Sequence, residues 1–474
     1  MEKLVGRVAE SRLLQESFAA NEAQLVAIYG RRRVGKTFLV RSVFANKILF
    51  EFSGAHHAGL KTQLANFSRE LSKASGSAIP LAQPASWSEA FQQLANWLQP
   101  LLLKEKRLVF FDEFPWLDTS RSGFLSAFDY FWNTWAVKQK NLLLIICGSA
   151  ASWMIKNIVH NKGGLHNRIS YSIRLLPFTL SETEAYLKSR AIILDRYQII
   201  QLYMAMGGIP HYLKNIHKGE SAAQAIDRIC FSKDGALREE FDKLYYSLFD
   251  EARAHLSIIR ALAKRPKGLN RNEIIAASRL SSGGTTTLIL KELEESGFIT
   301  AYTPFQKAAK DALFKLTDEY SLFFLKYIEN SRPAAGTWMR LSATASWRSW
   351  SGFAFEAICL KHTQALKVAL GIAGVQTSES VWRDVSEDDG VQIDLLIDRA
   401  DYCINLCEIK FSDTAYTITK SYAEALQKKK ELFKRISKTR KTVFITMITS
   451  FGLVDNAHSV NTVDITVDVK GLFE

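Results

Sequence analysis

The chain has 474 residues, of which 47% are hydrophobic and 23% are charged. This composition excludes an intrinsically disordered chain, and the length predicts about three domains. The formal net charge of +13 favours a polyanionic partner, typically nucleic acid, although a solvated basic surface explains the charge equally well.

No run of roughly 18 apolar residues occurs, so we expect neither a membrane span nor a membrane partner. The first residues show no signal-peptide pattern, which favours a cytoplasmic protein. The cysteines are mostly in apolar runs, which predicts reduced thiols; they are Cys147, Cys230, Cys359, Cys403 and Cys407. Because no second Cys/His pair follows Cys403 and Cys407, we interpret them as cysteines of one strand rather than as a zinc site.

The first chemical signal is a glycine-rich loop between an apolar run at 25–29 and a helical pattern from 38 onward. Strand, loop and helix are the context that a P-loop needs. In a P-loop the backbone N–H groups bind phosphates. Lys36 is expected to reach the β- and γ-phosphates, and Thr37 to bind Mg²⁺. The predicted nucleotide-binding residues of the loop are Gly30, Arg31, Arg32, Arg33, Val34, Gly35, Lys36 and Thr37.

The second signal is a buried-strand pattern at 107–111 that ends in Asp112 and Glu113. Following a P-loop, such a run is a Walker B pattern. Asp112 is predicted to hold the Mg²⁺ of the nucleotide, and Glu113 to polarise the attacking water as the general base.

A third predicted strand, residues 141–147, is followed by Gly148 and Ser149. Polar residues at the carboxyl ends of parallel strands lie near the ligand crevice. Ser149 is therefore predicted to contact water or the γ-phosphate. Serine is also a preferred N-cap for the helix that follows, and the two roles are compatible.

These motifs resemble the AAA+/STAND-type ATPases, and within them the archaeal-type ATPases. The opening residues 4–10 match the family's h-h-G-R-x-x-E signature, and residues 206–210 match a later Gly-Gly-x-Pro. The resemblance implies an adenine site near Gly6, Arg7 and Pro210. It also implies that an arginine after the third strand completes a neighbouring subunit's site; Arg168 is the first candidate, Arg174 the second. A nucleotide-dependent homo-oligomer follows as an expectation, as does a mobile loop at Gly163–Gly164.

Residues 176–240 are predicted to form a helical lid on the ATPase core, which spans residues 1–175. Ser181 to Glu184 is predicted to begin its first helix. Residues 245–335 show helix, turn, helix and two short strands, which resembles a winged helix. Contact with DNA is left open there, because the predicted reading helix carries glutamates beside Lys291.

Acidic residues mark the predicted C-terminal domain, residues 345–474. Asp394 is inside one predicted strand; Glu408 and Lys410 share one face of the next. Glu356 is on the apolar stripe of a predicted helix, where a carboxylate seldom lies without a partner. Together these residues resemble the E…D…E-x-K pattern of PD-(D/E)xK nucleases, although Ile393 replaces the leading proline. The resemblance implies Mg²⁺ ligation by Asp394, Glu408 and Glu356, and a lysine, Lys410, that orients or activates water. The alternative is an inactive domain of the same fold whose acids form salt bridges with lysines.

The fold class expected is α/β: a P-loop NTPase three-layer sandwich with a helical lid, a winged-helix middle domain and a C-terminal α/β restriction-endonuclease-like domain. The function expected is an ATP- and Mg²⁺-dependent ATPase that controls a nucleic-acid-binding, nuclease-like domain, with DNA favoured over RNA. The alternative is a STAND-type signalling switch whose C-terminal domain docks a partner without catalysis. A helicase-like motor is disfavoured, because no further helicase motif is present.

Overall fold

The computed structural model describes residues 3–76, 81–159, 167–249, 251–384 and 391–474. The described chain forms two compact units that divide after Leu176, and each unit has a five-stranded sheet of its own. Within these ranges, no helix combines the length and apolar character needed to cross a membrane.

The N-terminal unit contains a fully parallel sheet. Its strands are β1 (Gln24–Tyr29), β2 (Ile48–Ser53), β3 (Arg107–Asp112), β4 (Leu142–Gly148) and β5 (Tyr171–Arg174), and its helices are α1 (Val8–Ala19), α2 (Lys36–Phe44), α3 (Leu60–Ser75), α4 (Trp87–Leu102), α5 (Phe124–Thr134) and α6 (Ala151–Met154). The strand order is β2-β3-β4-β1-β5. Strands β3 and β4 are almost entirely buried, which explains their nearly continuous apolar sequences. The carboxyl ends of β1, β3 and β4 therefore meet at one edge of the sheet.

The C-terminal unit begins with a run of helices: α7 (Leu180–Ser189), α8 (Arg196–Met206), α9 (Pro210–Leu213), α10 (Ala222–Ile226) and α11 (Glu240–Tyr246). The predicted start of α7 was two residues late, because Thr179 is the N-cap. Its side chain accepts from the Glu182 N–H, and the Glu182 carboxylate accepts from the Thr179 N–H. This capping box satisfies two backbone donors that the first helical turn leaves open.

The next elements are α12 (Ala252–Ala263), α13 (Arg271–Ser278), α14 (Gly284–Glu295), β6 (Ile299–Tyr302), β7 (Leu313–Leu316), α15 (Glu319–Phe323) and α16 (Thr337–Leu341). Strands β6 and β7 pair antiparallel. Helices and strands thus occur where the sequence predicted them, and the assignment as a winged helix stays a prediction.

The remaining elements are α17 (Ala345–Lys361), α18 (Thr363–Ala369), β8 (Thr377–Asp384), β9 (Val391–Arg399), β10 (Cys403–Lys410), α19 (Lys420–Ser437), β11 (Thr442–Thr449), α20 (Ala457–Thr462) and β12 (Ile465–Val467). Their sheet has the order β12-β11-β10-β9-β8. Strands β8, β9 and β10 are successively antiparallel, whereas β10, β11 and β12 are parallel. The central position of β10, between β9 and β11, buries both of its faces apart from its ends.

Candidate nucleotide site and a second acidic cleft

The glycine-rich loop connects β1 to α2, as predicted. Gly30 has a φ of 145°, and a Cβ there would lie 2.3 Å from the Leu175 carbonyl oxygen. Gly35 has a φ of 94°, and a Cβ there would meet no atom within 4 Å. Both positions require glycine, the first for packing and the second for its backbone conformation. The open space at Gly35, in front of the α2 N-terminus, suits a phosphate group.

Lys36 is buried and folded back over the loop. Its Nζ donates to the carbonyl oxygens of Gly30 at 2.9 Å and Arg31 at 3.0 Å. Burial lowers the pKa of Lys36, and the nearby Glu113 carboxylate opposes that shift. The ammonium group is thus held at the loop by weak neutral acceptors, which anionic phosphate oxygens can replace.

Thr37 and Asp112 meet, although they are far apart in the sequence. The Thr37 hydroxyl donates to Asp112 Oδ2 at 2.7 Å. Burial raises the pKa of Asp112, while this hydrogen bond lowers it. A hydroxyl and a buried carboxylate at this distance are oxygen ligands of the kind Mg²⁺ prefers, so the residues fit the metal of a bound nucleotide.

Glu113 and Ser149 form a second pair at the same edge. Glu113 Oε2 accepts from the Ser149 hydroxyl at 2.7 Å and from its N–H at 3.1 Å. Ser149 therefore does not cap α6, whose N-cap is Ala150 without a side-chain bond. The backbone of Glu113 is left-handed, with a φ of 45°, directly after the end of β3.

The opening Gly-Arg pair belongs to the same unit. Arg7 is 4% exposed and donates through Nη2 to the carbonyl oxygens of Leu176 at 2.8 Å and Val34 at 3.3 Å. Gly6 and Arg7 both have left-handed backbones. This arginine therefore ties the start of the chain to the P-loop. Its predicted adenine contact, and that of Gly6, remain predictions.

The three consecutive arginines of the loop have different environments. Arg31 is buried, Arg32 lies over the Trp116 ring at 5.5 Å, and Arg33 is exposed with a φ of 72°. Val34 is buried. These four residues have in common only their place in the loop backbone. Contacts of their side chains with a nucleotide stay predictions.

The two candidate arginine fingers are in different surroundings. Arg168 is exposed in a turn, whereas Arg174 is on β5 in register with Tyr29, directly before the P-loop. The exposed position is compatible with reaching another subunit, and the role of Arg168 remains a prediction. The predicted mobile pair Gly163–Gly164 lies outside the described residues.

The Gly-Gly-x-Pro turn has a packing role in the C-terminal unit. A Cβ on Gly208 would lie 1.9 Å from the Phe178 carbonyl oxygen, and one on Gly207 would lie 2.9 Å from Glu319 Oε2. Pro210 is the first residue of α9, where its missing N–H costs nothing. These contacts explain the motif structurally, and the predicted adenine contact of Pro210 stays a prediction.

The four residues of the E…D…E-x-K pattern line one cleft of about 470 Å³ in the C-terminal unit. Asp394 comes from β9, Glu408 and Lys410 from the neighbouring β10, and Glu356 from α17. The predicted hairpin forms, and Asp394 Oδ2 accepts from the Ile409 N–H at 3.0 Å. The cleft thus brings together residues that are up to 54 positions apart in the sequence (410 − 356).

Two of these acids have lysine partners that the sequence did not reveal. Glu408 accepts from Lys429 Nζ at 2.7 Å and from the Tyr422 hydroxyl at 3.3 Å, and Glu356 accepts from Lys315 Nζ at 2.9 Å. Burial raises the pKa of both carboxyls; the Asp394 carboxylate raises both further, and the lysines oppose this. Tyr422 and Lys429 share one face of α19, seven positions apart, which is the signal that could have found them.

The cleft offers a cation two carboxylate ligands, Asp394 and Glu408, rather than a complete coordination shell. Asp394 and Glu408 face the same space from adjacent strands. In the parts of the chain that the structure describes, no three His, Cys, Asp or Glu side chains are grouped as a ready metal site. Cys403 and Cys407 both lie on β10, the single strand on which the sequence placed them.

Residues 4–216 match a family described as an ATPase domain predominantly from Archaea. An uncharacterized protein of Methanocaldococcus jannaschii is 26% identical over 358 residues, covering 75% of this chain and 76% of that protein. A Walker-type ATPase of Pyrococcus abyssi has a similar fold, with a TM-score of 0.52 at 19% identity; the similarity covers 68% of this chain and 96% of that chain. The chain therefore contains an archaeal-type ATPase domain with a P-loop fold.

Proposed function

We propose that this protein, an ATPase with an archaeal-type ATPase domain, uses its nucleotide state to control a divalent-metal-dependent nuclease in the C-terminal cleft. The observation that supports the nuclease is the convergence of Glu356, Asp394, Glu408 and Lys410 on one cleft. DNA is the preferred substrate of the proposal. The winged-helix-like segment, residues 245–335, is proposed as an additional nucleic-acid contact.

In the N-terminal unit, Lys36 exchanges its two carbonyl partners for the β- and γ-phosphates of ATP. Thr37 and Asp112 hold the Mg²⁺ of the nucleotide, which neutralises phosphate charge when it is bound. Glu113, oriented by Ser149, takes a proton from the attacking water. Gly6 and Arg7 contact the adenine. Arg168 of a second copy stabilises charge on the transferred phosphoryl group.

In the C-terminal cleft, Asp394 and Glu408 hold a divalent ion. Such an ion lowers the pKa of the attacking water and offsets the charge of the scissile phosphate. Lys410 orients that water from the same face of β10 as Glu408. Glu356 joins the site only when it releases Lys315, since its carboxylate is otherwise occupied.

The test is a cleavage assay with the full-length protein and labelled single- and double-stranded DNA and RNA, with Mg²⁺ or Mn²⁺, in the presence of ATP, ADP or no nucleotide. Lys410→Ala should lower cleavage by about 100-fold or more and leave ATP hydrolysis intact. Lys434→Ala, an exposed lysine of α19, is the matched control. Equal cleavage by Lys410→Ala and the parent, or no cleavage in any nucleotide state, contradicts the nuclease proposal.

A second candidate is a STAND-type switch whose C-terminal cleft docks a partner. The ion pairs of Glu356 with Lys315 and of Glu408 with Lys429 favour it, because they already neutralise two of the acids. This candidate requires a change of assembly on ATP binding, measured by light scattering with Lys36→Ala as the non-binding control. The same mass with and without ATP would exclude it.

A further inference from the structure

Two large cavities adjoin the acidic cleft within the C-terminal unit. One measures about 750 Å³ and the other about 1160 Å³. Arg260 and Lys264 line both cavities, Lys267 lines the larger one and the acidic cleft, and Phe353 lines all three. Because the three spaces share wall residues, they lie side by side between α12, α13 and the acids; together they are here named the basic groove.

The largest of the three spaces is mostly basic, whereas the acidic cleft adds the carboxylates of Asp394 and Glu408, and Arg260 is paired with Glu329. Around the largest cavity lie six basic side chains and one acidic side chain, Glu273. The basic side chains are all exposed and come from α12, the turn after it, the end of α13 and β8; they are Arg260, Lys264, Arg265, Lys267, Arg279 and Arg383. A concave surface of one sign attracts a flexible polyanion, and successive phosphates satisfy successive cations.

An aromatic side chain stands where the three spaces meet. Phe353 is 43% exposed although it is on α17, whose neighbouring residues Ala354 and Phe355 are buried. Trp350, one turn earlier on the same helix, lines the adjoining cavity. An exposed ring beside cations is the arrangement on which unpaired bases stack. The faces of bases in a duplex are already covered by neighbouring bases, so the ring of Phe353 stacks better on a base of a single strand.

We propose that the basic groove binds a single-stranded polynucleotide, with Phe353 as a stacking platform, and leads the strand to the acidic cleft. The cations of the groove contact the phosphates, and the ring holds a base near the point where Asp394 and Glu408 face the same space. Delivery for cleavage rests on the proposed nuclease function, whereas binding to the groove does not.

The first test measures binding of the full-length protein by fluorescence anisotropy, in EDTA, so that no cleavage is needed. The probes are labelled 20-nucleotide oligo(dT), oligo(rU) and a 20-base-pair DNA duplex. Phe353→Ala should weaken binding of the single strands by about 5- to 100-fold. Tyr246→Ala removes a ring that is 55% exposed elsewhere in the unit and should leave binding unchanged. Unchanged ATP hydrolysis and unfolding temperature show that the Phe353→Ala variant is folded.

The second test uses the salt dependence of the same binding. Arg265→Gln with Lys267→Gln should reduce the slope of log affinity against log salt by about 1.4, since each lost phosphate contact of a single strand contributes about 0.7. Lys218→Gln with Lys233→Gln removes the same charge from exposed positions outside the groove. It should change the slope by less.

The outcomes separate this inference from the nuclease. Single-strand binding that depends on Phe353 supports the groove even if no cleavage is seen. The groove is wrong if the parent prefers the duplex, or if Phe353→Ala and Tyr246→Ala bind single strands equally well. In that case the nuclease proposal is decided by the cleavage assay with Lys410→Ala alone.

Discussion

Charged side chains have neutral partners at the nucleotide site and charged partners in the acidic cleft. At the nucleotide site, Lys36 is held by carbonyls of its own loop, and Asp112 by the hydroxyl of Thr37. In the cleft, Glu356 and Glu408 are held by lysines from outside the E…D…E-x-K pattern. A nucleotide therefore replaces neutral partners at the first site, whereas a cation has to displace ammonium groups at the second.

The largest effect is expected at the nucleotide site, for Glu113→Gln. The amide still accepts from Ser149 but takes up no proton, so ATP hydrolysis should fall by about 10²- to 10⁴-fold while nucleotide binding is kept. Turnover and equilibrium binding of a labelled ATP should be measured together. Glu16→Gln, on the exposed face of α1, is the control. Rapid hydrolysis by Glu113→Gln would place the general base elsewhere.

The second prediction concerns the acidic cleft, where Lys315 and Glu356 form a buried ion pair. Its side chains are 8% and 14% exposed. Lys315→Met leaves a buried carboxylate unpaired and should lower the free energy of unfolding by about 3–5 kcal/mol. Differential scanning calorimetry measures the loss.

Lys243→Met, which breaks a pair exposed on both sides, is the control for Lys315→Met. Adding Glu356→Leu to Lys315→Met should restore most of the stability, because no buried charge is then left without a partner. If Lys315→Met alone were as stable as the parent, the ion pair would not neutralise Glu356 in solution.

The same contrast explains what could be predicted from sequence. The P-loop geometry and the Walker B strand were predictable, because the loop's shape comes from glycines inside the motif and because β3 is apolar throughout. The antiparallel pairing of β9 with β10 was also predictable, since a short connection joins the two strands. These elements depend on neighbours in the sequence.

The partners of the acids were not predictable in this way. Lys315 is on a strand that the sequence gives no reason to place beside Glu356, and Lys429 looks like one of several lysines on a solvated helix. The hydrogen bond from Ser149 to Glu113 was missed because serine is equally suited to capping a helix. Tertiary contacts decide these cases, and they appear only when the chain is folded.

His362 provides a pH-dependent contact between distant parts of the C-terminal unit. Its Nε2 accepts from the Leu180 N–H at 3.1 Å, and its Nδ1 donates to the Ile358 carbonyl oxygen at 2.8 Å. Burial lowers the pKa of His362 from 6.5 to about 4. Between these values the unfolded chain binds a proton that the folded chain does not.

Stability should therefore decrease as the pH falls from 6.5 towards 4, by up to about 3 kcal/mol from this group. Urea unfolding at a series of pH values measures the slope. His362→Gln keeps an acceptor for the Leu180 N–H but cannot titrate, so it should flatten the slope in this window. An unchanged slope would assign the pH dependence to other groups.

The smallest effect is expected for the ion pair between Arg41 and Glu51, close to the nucleotide site. Their side chains are 58% and 27% exposed, and Nη2 lies 2.5 Å from Oε1. A double-mutant cycle with Arg41→Gln and Glu51→Gln should give a coupling energy of about 0.2–1 kcal/mol that disappears in roughly 1 M salt. The same cycle on Lys315 and Glu356 should give a larger value that salt hardly changes. Equal coupling energies would mean that burial does not outweigh the forked geometry of the Arg41 pair, whose Nε and Nη2 both donate to Glu51.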